Sequence, residues 1–197
     1  MCGRYYVDDE MLGEIRQVVR DIDRRLKGEV LSGDVRPSEA ALILFRDRGE
    51  WCPVRMNWGF FGRDRGSLLI NARAETVLEK PTFAESIRAR RCVIPASGFY
   101  EWNAGKDKYT CFRPDRKTIY MAGCFRAYQG ENRFVILTTA ANESMVSIHE
   151  RMPLLLPEEG LRGWLEEDAG LTGFLTREPE PLMKRTDYQQ LSMDLFS

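Results

Sequence analysis

The chain is poor in histidine, with only His149, and its five cysteines, at 2, 52, 92, 111 and 124, form no CxxC pair. A site built on two or three histidines is therefore excluded within one chain. A cysteine-rich zinc site or a disulfide framework finds no support either, so no metal is expected. Any catalysis by histidine has to use His149. No GxSxG, Walker A or GxGxxG pattern occurs, which removes the main sequence support for common hydrolases, NTPases and dinucleotide enzymes. No apolar run approaches the roughly 20 residues that cross a bilayer. The start, MCGRYYVDDE, lacks a basic stretch followed by an apolar one, so no signal peptide is expected. Lysine is scarce too: the 29 basic residues divide into 23 Arg and 6 Lys. Arginine forks suit bidentate phosphate contacts, although genome composition produces the same bias. With 30 acidic residues the net charge is -1, which excludes a strongly basic nucleic-acid binder at whole-chain level but leaves room for a basic face. The expectation is an intracellular, cytoplasmic protein.

What is present is globular. The 197 residues are 43% hydrophobic and 30% charged. That fits one domain over 1–197, long enough to bury about 70% of its unfolded surface. GRYYV (3–7) reads as a strand. Asp8 or Asp9 then caps a helix to Leu26, with Leu12, Ile15, Val19, Ile22 and Leu26 as one apolar stripe and Gly28 as the stop. From residue 40 strands dominate: 40–45, 54–60, 67–71, 92–102, 108–112, 118–125 and 133–140, with a hairpin-type turn at 103–107. A short helix begins at Pro81-Thr82, where Thr82 and Glu85 are spaced as a capping box. Residues 157–167 read as a third helix, and the last twenty residues hold a weak strand at best. Many strands with few helices between them predict an α+β domain, a mainly antiparallel, barrel-like sheet with peripheral helices.

Four residues stand out chemically. Removal of Met1 is usual before a small second residue, and it would leave Cys2 with an α-amine and a thiol on neighbouring carbons. Their ordinary pKa values, about 7.7–8.0 and about 8.5, leave part of each nucleophilic at neutral pH. Such an aminothiol condenses with aldehydes: the amine gives a Schiff base and the thiol closes a five-membered thiazolidine. It also suits a thiol nucleophile that uses its own amine as base. An incidental cysteine at a frayed end is the plain alternative. Glu101, in GFYEW, ends an apolar strand. Alternation sends it to the face opposite Tyr100 and Trp102, where partial desolvation suits general acid–base work; a solvent-facing glutamate is the alternative. His149, in SIHERMP, lies at a loop edge, either structural or functional. Asn71, in INARAET, follows an apolar strand and either donates to a substrate oxygen or caps a turn, with Arg73 two residues on.

MCGRY, INARAET, SGFYEW and IHERMP, in this order, resemble the SOS-response-associated peptidase family (SRAP domain) over residues 2–153. The resemblance implies a single α+β domain around a barrel-like sheet with a positively charged groove. It implies a monomer that binds single-stranded DNA and cross-links covalently to abasic sites through its N-terminal cysteine, shielding the lesion. Removal of its own Met1 and a possible lyase activity are implied as well. The family's active-site set maps onto Cys2, Asn71, Glu101 and His149. Its DNA contacts map onto Arg4 and Arg73 at phosphates, Trp58 stacking beside the lesion, Pro37 and Thr138. No cofactor is needed. Two departures are visible: Asp34 stands where the family often has asparagine in an N-x-x-P loop, with Pro37 retained, and FFGRDRG replaces the usual Pro- and Trp-rich loop between Trp58 and Asn71. Two other readings use the same chain. One is a cysteine-type peptidase with His149 and Glu101 serving Cys2; the other is a non-catalytic nucleic-acid-binding module in which Cys2 is incidental.

Overall fold

The computed structural model describes residues 2–18, 32–166 and 169–186. Strand β1 (Arg4–Val7) leads into helix α1 (Asp9–Val18). The Asp8 carboxylate accepts the Met11 N–H at 2.9 Å, so Asp8 is the cap, as its residue type suggests. The predicted continuation of this helix to Leu26 and its stop at Gly28 lie outside the described residues. Strand β2 (Gly33–Val35), for which the sequence carries no signal, follows. β3 (Ala40–Asp47) and β4 (Glu50–Trp58) then form a hairpin. Its two-residue turn, Arg48-Gly49, has φ of 49° and 82°; turns left-handed at both positions match the twist of the flanking strands.

Strands β5 (Phe60–Phe61) and β6 (Leu68–Leu69) make a small separate hairpin. The single strand expected over 67–71 is thus divided at Ile70. β7 (Asn71–Arg73) leaves the hairpin to run parallel beside a later strand. Helix α2 (Pro81–Ala89) starts where expected but without the expected capping box. Lys80 is its N-cap and no side chain caps it, because Pro81 occupies the first helical position and moves Thr82 inside the helix. The single strand expected over 92–102 is divided at Ser97 into β8 (Arg91–Ala96), in the barrel, and β9 (Gly98–Trp102), in a second sheet, while β10 (Lys108–Phe112), β11 (Ile119–Tyr128) and β12 (Glu131–Ala140) follow in the predicted places. The 103–107 turn is closed by Asn103 and Asp107. β13 (Arg151–Pro153), β14 (Leu155–Leu156), α3 (Leu161–Glu166), α4 (Leu171–Leu175) and β15 (Met183–Thr186) complete the chain. The weak terminal strand is real because β10 supplies a partner for it.

Five strands close on themselves in the order β3–β4–β12–β11–β8, all antiparallel except β4–β12. Closure removes free edges. β8 is buried along its whole length, because α1, α2, α3 and β1 lie against it from outside. A second, antiparallel sheet in the order β15–β10–β9–β1–β2 packs on this barrel. The α+β, barrel-cored reading therefore holds. β1 is an interior strand of the second sheet, flanked by β2 and β9, so the start of the chain is tied down by backbone bonds on both sides.

Candidate active site

Cys2 lies one residue, Gly3, ahead of β1 and is 0% exposed. Its thiol donates to the Arg4 carbonyl at 3.8 Å. The Asn71 amide nitrogen, on β7, donates to the Cys2 carbonyl at 3.0 Å, which pins the residue from the barrel side. Asn71 Oδ1 is buried with no partner among the described residues. An unmatched buried acceptor is costly, so it marks a place for a donor. Glu101 comes from the neighbouring strand. The β1–β9 register pairs Arg4 with Tyr100, so one step further Glu101 comes level with Gly3, the residue after Cys2. Its side chain is 3% exposed on the inward face, while Tyr100 and Trp102 point the other way, as alternation predicts. One carboxylate oxygen accepts the Trp102 N–H at 3.3 Å.

Burial, and then the nearby Glu101 charge, push the Cys2 thiol far above its ordinary pKa. The ready thiolate fraction expected from the unperturbed value is therefore absent, and the residue is a neutral thiol at neutral pH. Glu101 also acts on Cys111, whose thiol is pushed up to about 12 mainly by burial.

His149 lies half-buried just ahead of β13. The Arg151 backbone N–H donates to its Nδ1 at 2.9 Å, so the neutral ring carries its hydrogen on Nε2. The elements explain the placement. The C-terminal half of β12 is flanked by β7 on one side and β13 on the other: Thr138 pairs with both Arg73 and Pro153. The Asn71 and His149 segments are thereby brought to the same end of the barrel from positions far apart in sequence.

A clasp unannounced by the sequence spans this end. Arg151 grips Glu75 with both guanidinium nitrogens, at 2.6 and 2.9 Å, and donates to the Thr138 carbonyl at 2.6 Å. Tyr5 is the other residue missed. Its hydroxyl is buried without a partner among the described residues, and burial followed by the neighbouring Cys2 pushes its pKa up. Its place inside MCGRY was the available signal.

The expected DNA contacts divide. Arg73 is exposed and Arg4 half-exposed beside the site. Arg4 lies 5.6 Å from the Trp102 ring centroid and 3.8 Å from Asp34, which also accepts the Tyr100 hydroxyl at 2.9 Å. Pro37 is half-buried in a loop held to Trp58 by the Ser38 N–H. Trp58 and Thr138 require correction as contacts to DNA. Trp58 is fully buried between Tyr5 and Phe134, with its indole N–H on the Ile70 carbonyl at 2.9 Å. Thr138 is fully buried under Arg151. The short β5–β6 hairpin leaves Phe61 half-exposed, with its ring against Tyr128 and Arg133.

A closed five-stranded barrel, a second sheet threaded by the N-terminal strand, and a buried second-residue cysteine pinned by an asparagine define a cysteine-centred class of protein. The chain belongs to the SOS response associated peptidase (SRAP) family, which it matches over residues 1–193. The abasic site processing protein YoqW of Bacillus subtilis is 35% identical over 181 residues, covering 84% of this chain and 80% of that protein. The abasic site processing protein YedK of Escherichia coli is 29% identical over 180 residues, covering 85% and 81%. A crystal structure of a Bacteroides thetaiotaomicron protein shares the fold, with a TM-score of 0.78 at 24% identity over 94% of this chain and 91% of that one.

Proposed function

We propose that this protein senses abasic sites in single-stranded DNA and joins itself to them through Cys2. The observation that carries the reading is Cys2 itself, buried at the head of an interior strand, pinned by Asn71 and one residue before the position level with Glu101. Hydrolysis of the Met1–Cys2 amide first frees the α-amine. The Asn71 Oδ1 acceptor is the natural partner for one of its hydrogens.

The amine attacks C1′ of the ring-opened sugar and gives a carbinolamine. Glu101 passes a proton from nitrogen to the departing hydroxyl, and water leaves as the C=N bond forms. The Cys2 sulfur then adds to that carbon. Its proton passes through Glu101 to the nitrogen, and the thiazolidine closes. One water is lost, one C–N and one C–S bond remain, and no atom changes oxidation state overall. A neutral thiol suits this order, since it brings the proton the imine nitrogen needs. Closure removes the Schiff base, the species that permits β-elimination and strand cleavage. His149, with its hydrogen on Nε2, donates to the sugar hydroxyl and assists ring opening. Arg4 and Arg73 balance flanking phosphates. The protein works as a monomer in the cytoplasm, at the DNA, without a cofactor.

The family's peptidase name fits the same residues acting on the Met1–Cys2 amide. A general thiol peptidase would want a standing thiolate, and burial of Cys2 opposes one. The test is a denaturing gel of the protein with single-stranded DNA carrying one abasic site. A shifted band that survives heating, absent with undamaged DNA, is expected. No band with protein whose Met1 is removed would overturn the reading.

A further inference from the structure

The Tyr5 hydroxyl has no part in the chemistry derived so far. Tyr5 is 1% exposed, and its hydroxyl has no hydrogen-bond partner among the described residues. The side chain cannot swing away to find one. Its strand is held on both sides, with Tyr5 paired to Val35 on β2 and to Phe99 on β9. Its ring lies tilted against Trp58 at a centroid distance of 5.4 Å. Trp58 is itself fixed by the Ile70 carbonyl and the stacked Phe134 ring. A buried hydroxyl without a partner is costly, and phenylalanine would fill the same space without that cost. An unmatched group of this kind calls for a role. The surroundings indicate which. Of the ionisable groups near the hydroxyl, Cys2 acts on it most strongly, ahead of Cys92 on β8 and Glu39. Cys92 is buried in the barrel wall, and Glu39 already accepts the Arg36 N–H at 2.7 Å. The Cys2 thiol donates to the Arg4 carbonyl, which leaves the lone pairs of its sulfur open to a donor.

We propose that Tyr5 is a catalytic residue whose hydroxyl donates a hydrogen bond to the Cys2 sulfur as negative charge develops there during ring closure. The proposal rests on the abasic-site reading and adds the group that stabilises the sulfur. Glu101 from β9 and Cys111 from β10 both oppose negative charge on that sulfur, and the Asn71 amide is spent on the Cys2 carbonyl. A fixed donor aimed at the place where charge appears offsets them, and being fixed it costs no reorganisation. The C–S bond forms while the thiol proton leaves through Glu101 to the nitrogen. The Tyr5 proton stays on its own oxygen throughout, so the tyrosine is unchanged at the end. Burial favours this, because it holds the phenol in its neutral, donating form. In the finished thiazolidine the sulfur is a thioether, a weak acceptor, and the hydroxyl is released.

The test compares wild type with Tyr5→Phe, both with Met1 removed. In the first arm, alkylation of Cys2 by iodoacetamide is followed across pH by the mass of the N-terminal peptide. The equally buried Cys111 serves as the reference for local opening. A donor to the thiolate lowers the pH at which it forms, so loss of the donor moves the Cys2 profile upward. At a fixed pH, Cys2 alkylation in Tyr5→Phe is expected to fall about ten-fold relative to Cys111, the worth of one hydrogen bond to a charged group. In the second arm, with single-stranded DNA carrying one abasic site, the heat-stable adduct is expected to slow about ten-fold more than the Schiff base trapped with borohydride. The melting midpoint is expected to stay level or rise, because an unmatched hydroxyl has gone. An unchanged Cys2 profile, equal slowing of both products, or a marked fall in the midpoint, which would reveal a structural partner, each overturns the proposal. If Tyr5→Phe fails to fold, 3-fluorotyrosine at position 5 keeps the ring and strengthens the donor; the Cys2 profile must then move to lower pH, and no movement overturns the role. Absence of any cross-link by wild type would count against the abasic-site reading alone, while the alkylation arm still decides whether Tyr5 serves the sulfur.

Discussion

Cys2 shows how far a residue's surroundings move it from its free chemistry. As a terminal residue it would be mobile and partly ionised; here it is buried, pinned at its carbonyl, and held as a neutral thiol. In the proposed mechanism, proximity of amine and thiol, rather than acidity, drives ring closure. Cys2→Ser is expected to keep the Schiff base, trappable with borohydride, and to lose most heat-stable adduct on denaturing gels. An extra residue ahead of Cys2 in the mature chain separates amine from thiol and forbids the five-membered ring. Stable cross-linking by that extended protein at the wild-type rate would exclude the α-amine as nucleophile. Glu101 was readable because strand alternation alone chooses its face. The roles of Tyr5 and Arg151 were not, since each depends on partners tens of residues away.

At the scale of elements, the informative piece is the edge strand β2. It delivers Asp34 to Arg4 and Tyr100. The carboxylate offsets part of the Arg4 charge that a phosphate would use. Asp34→Asn is expected to tighten binding of undamaged single strands by up to about five-fold, the worth of a partly exposed ion pair of at most about 1 kcal/mol. It should also steepen the salt dependence of binding, read by anisotropy titrations between low and physiological salt. Unchanged affinity would mean that Arg4 does not meet phosphate. Neither β2 nor the division of 67–71 was legible, because a three-residue strand has no periodicity to read and the break at Ile70 comes from β12 pairing with β7.

At the scale of the whole molecule, core and site share side chains. Trp58 fills the space between Tyr5 and Phe134, so Trp58→Ala is expected to cost about 3–5 kcal/mol of stability, as cavity-forming core substitutions do. A denaturant melt measures this directly. A stable variant with weakened DNA binding would restore the stacking role. The buried thiols predict a second global property. Cys2, Cys92, Cys111 and Cys124 are all pushed up, in each case chiefly by burial. In the unfolded chain they ionise near 8.5. Above that pH the folded state holds protons the unfolded state has lost, so stability falls as pH rises, by up to about 1.4 kcal/mol per unit for each thiol. Melting temperatures should decline from about pH 9 upward, and less steeply in Cys92→Ala; a flat profile would contradict the buried thiols.

The sequence by itself determined the α+β class, most strands, the one available histidine and the residues from which the proposed reactive set is drawn, because local periodicity and residue chemistry are written in short stretches. Only the tertiary structure decided that Trp58 and Thr138 are interior, that Arg151 clasps Glu75, and that the Cys2 thiol is neutral. Exposure, ion pairing and pKa depend on what distant segments place nearby, and no window of sequence contains that.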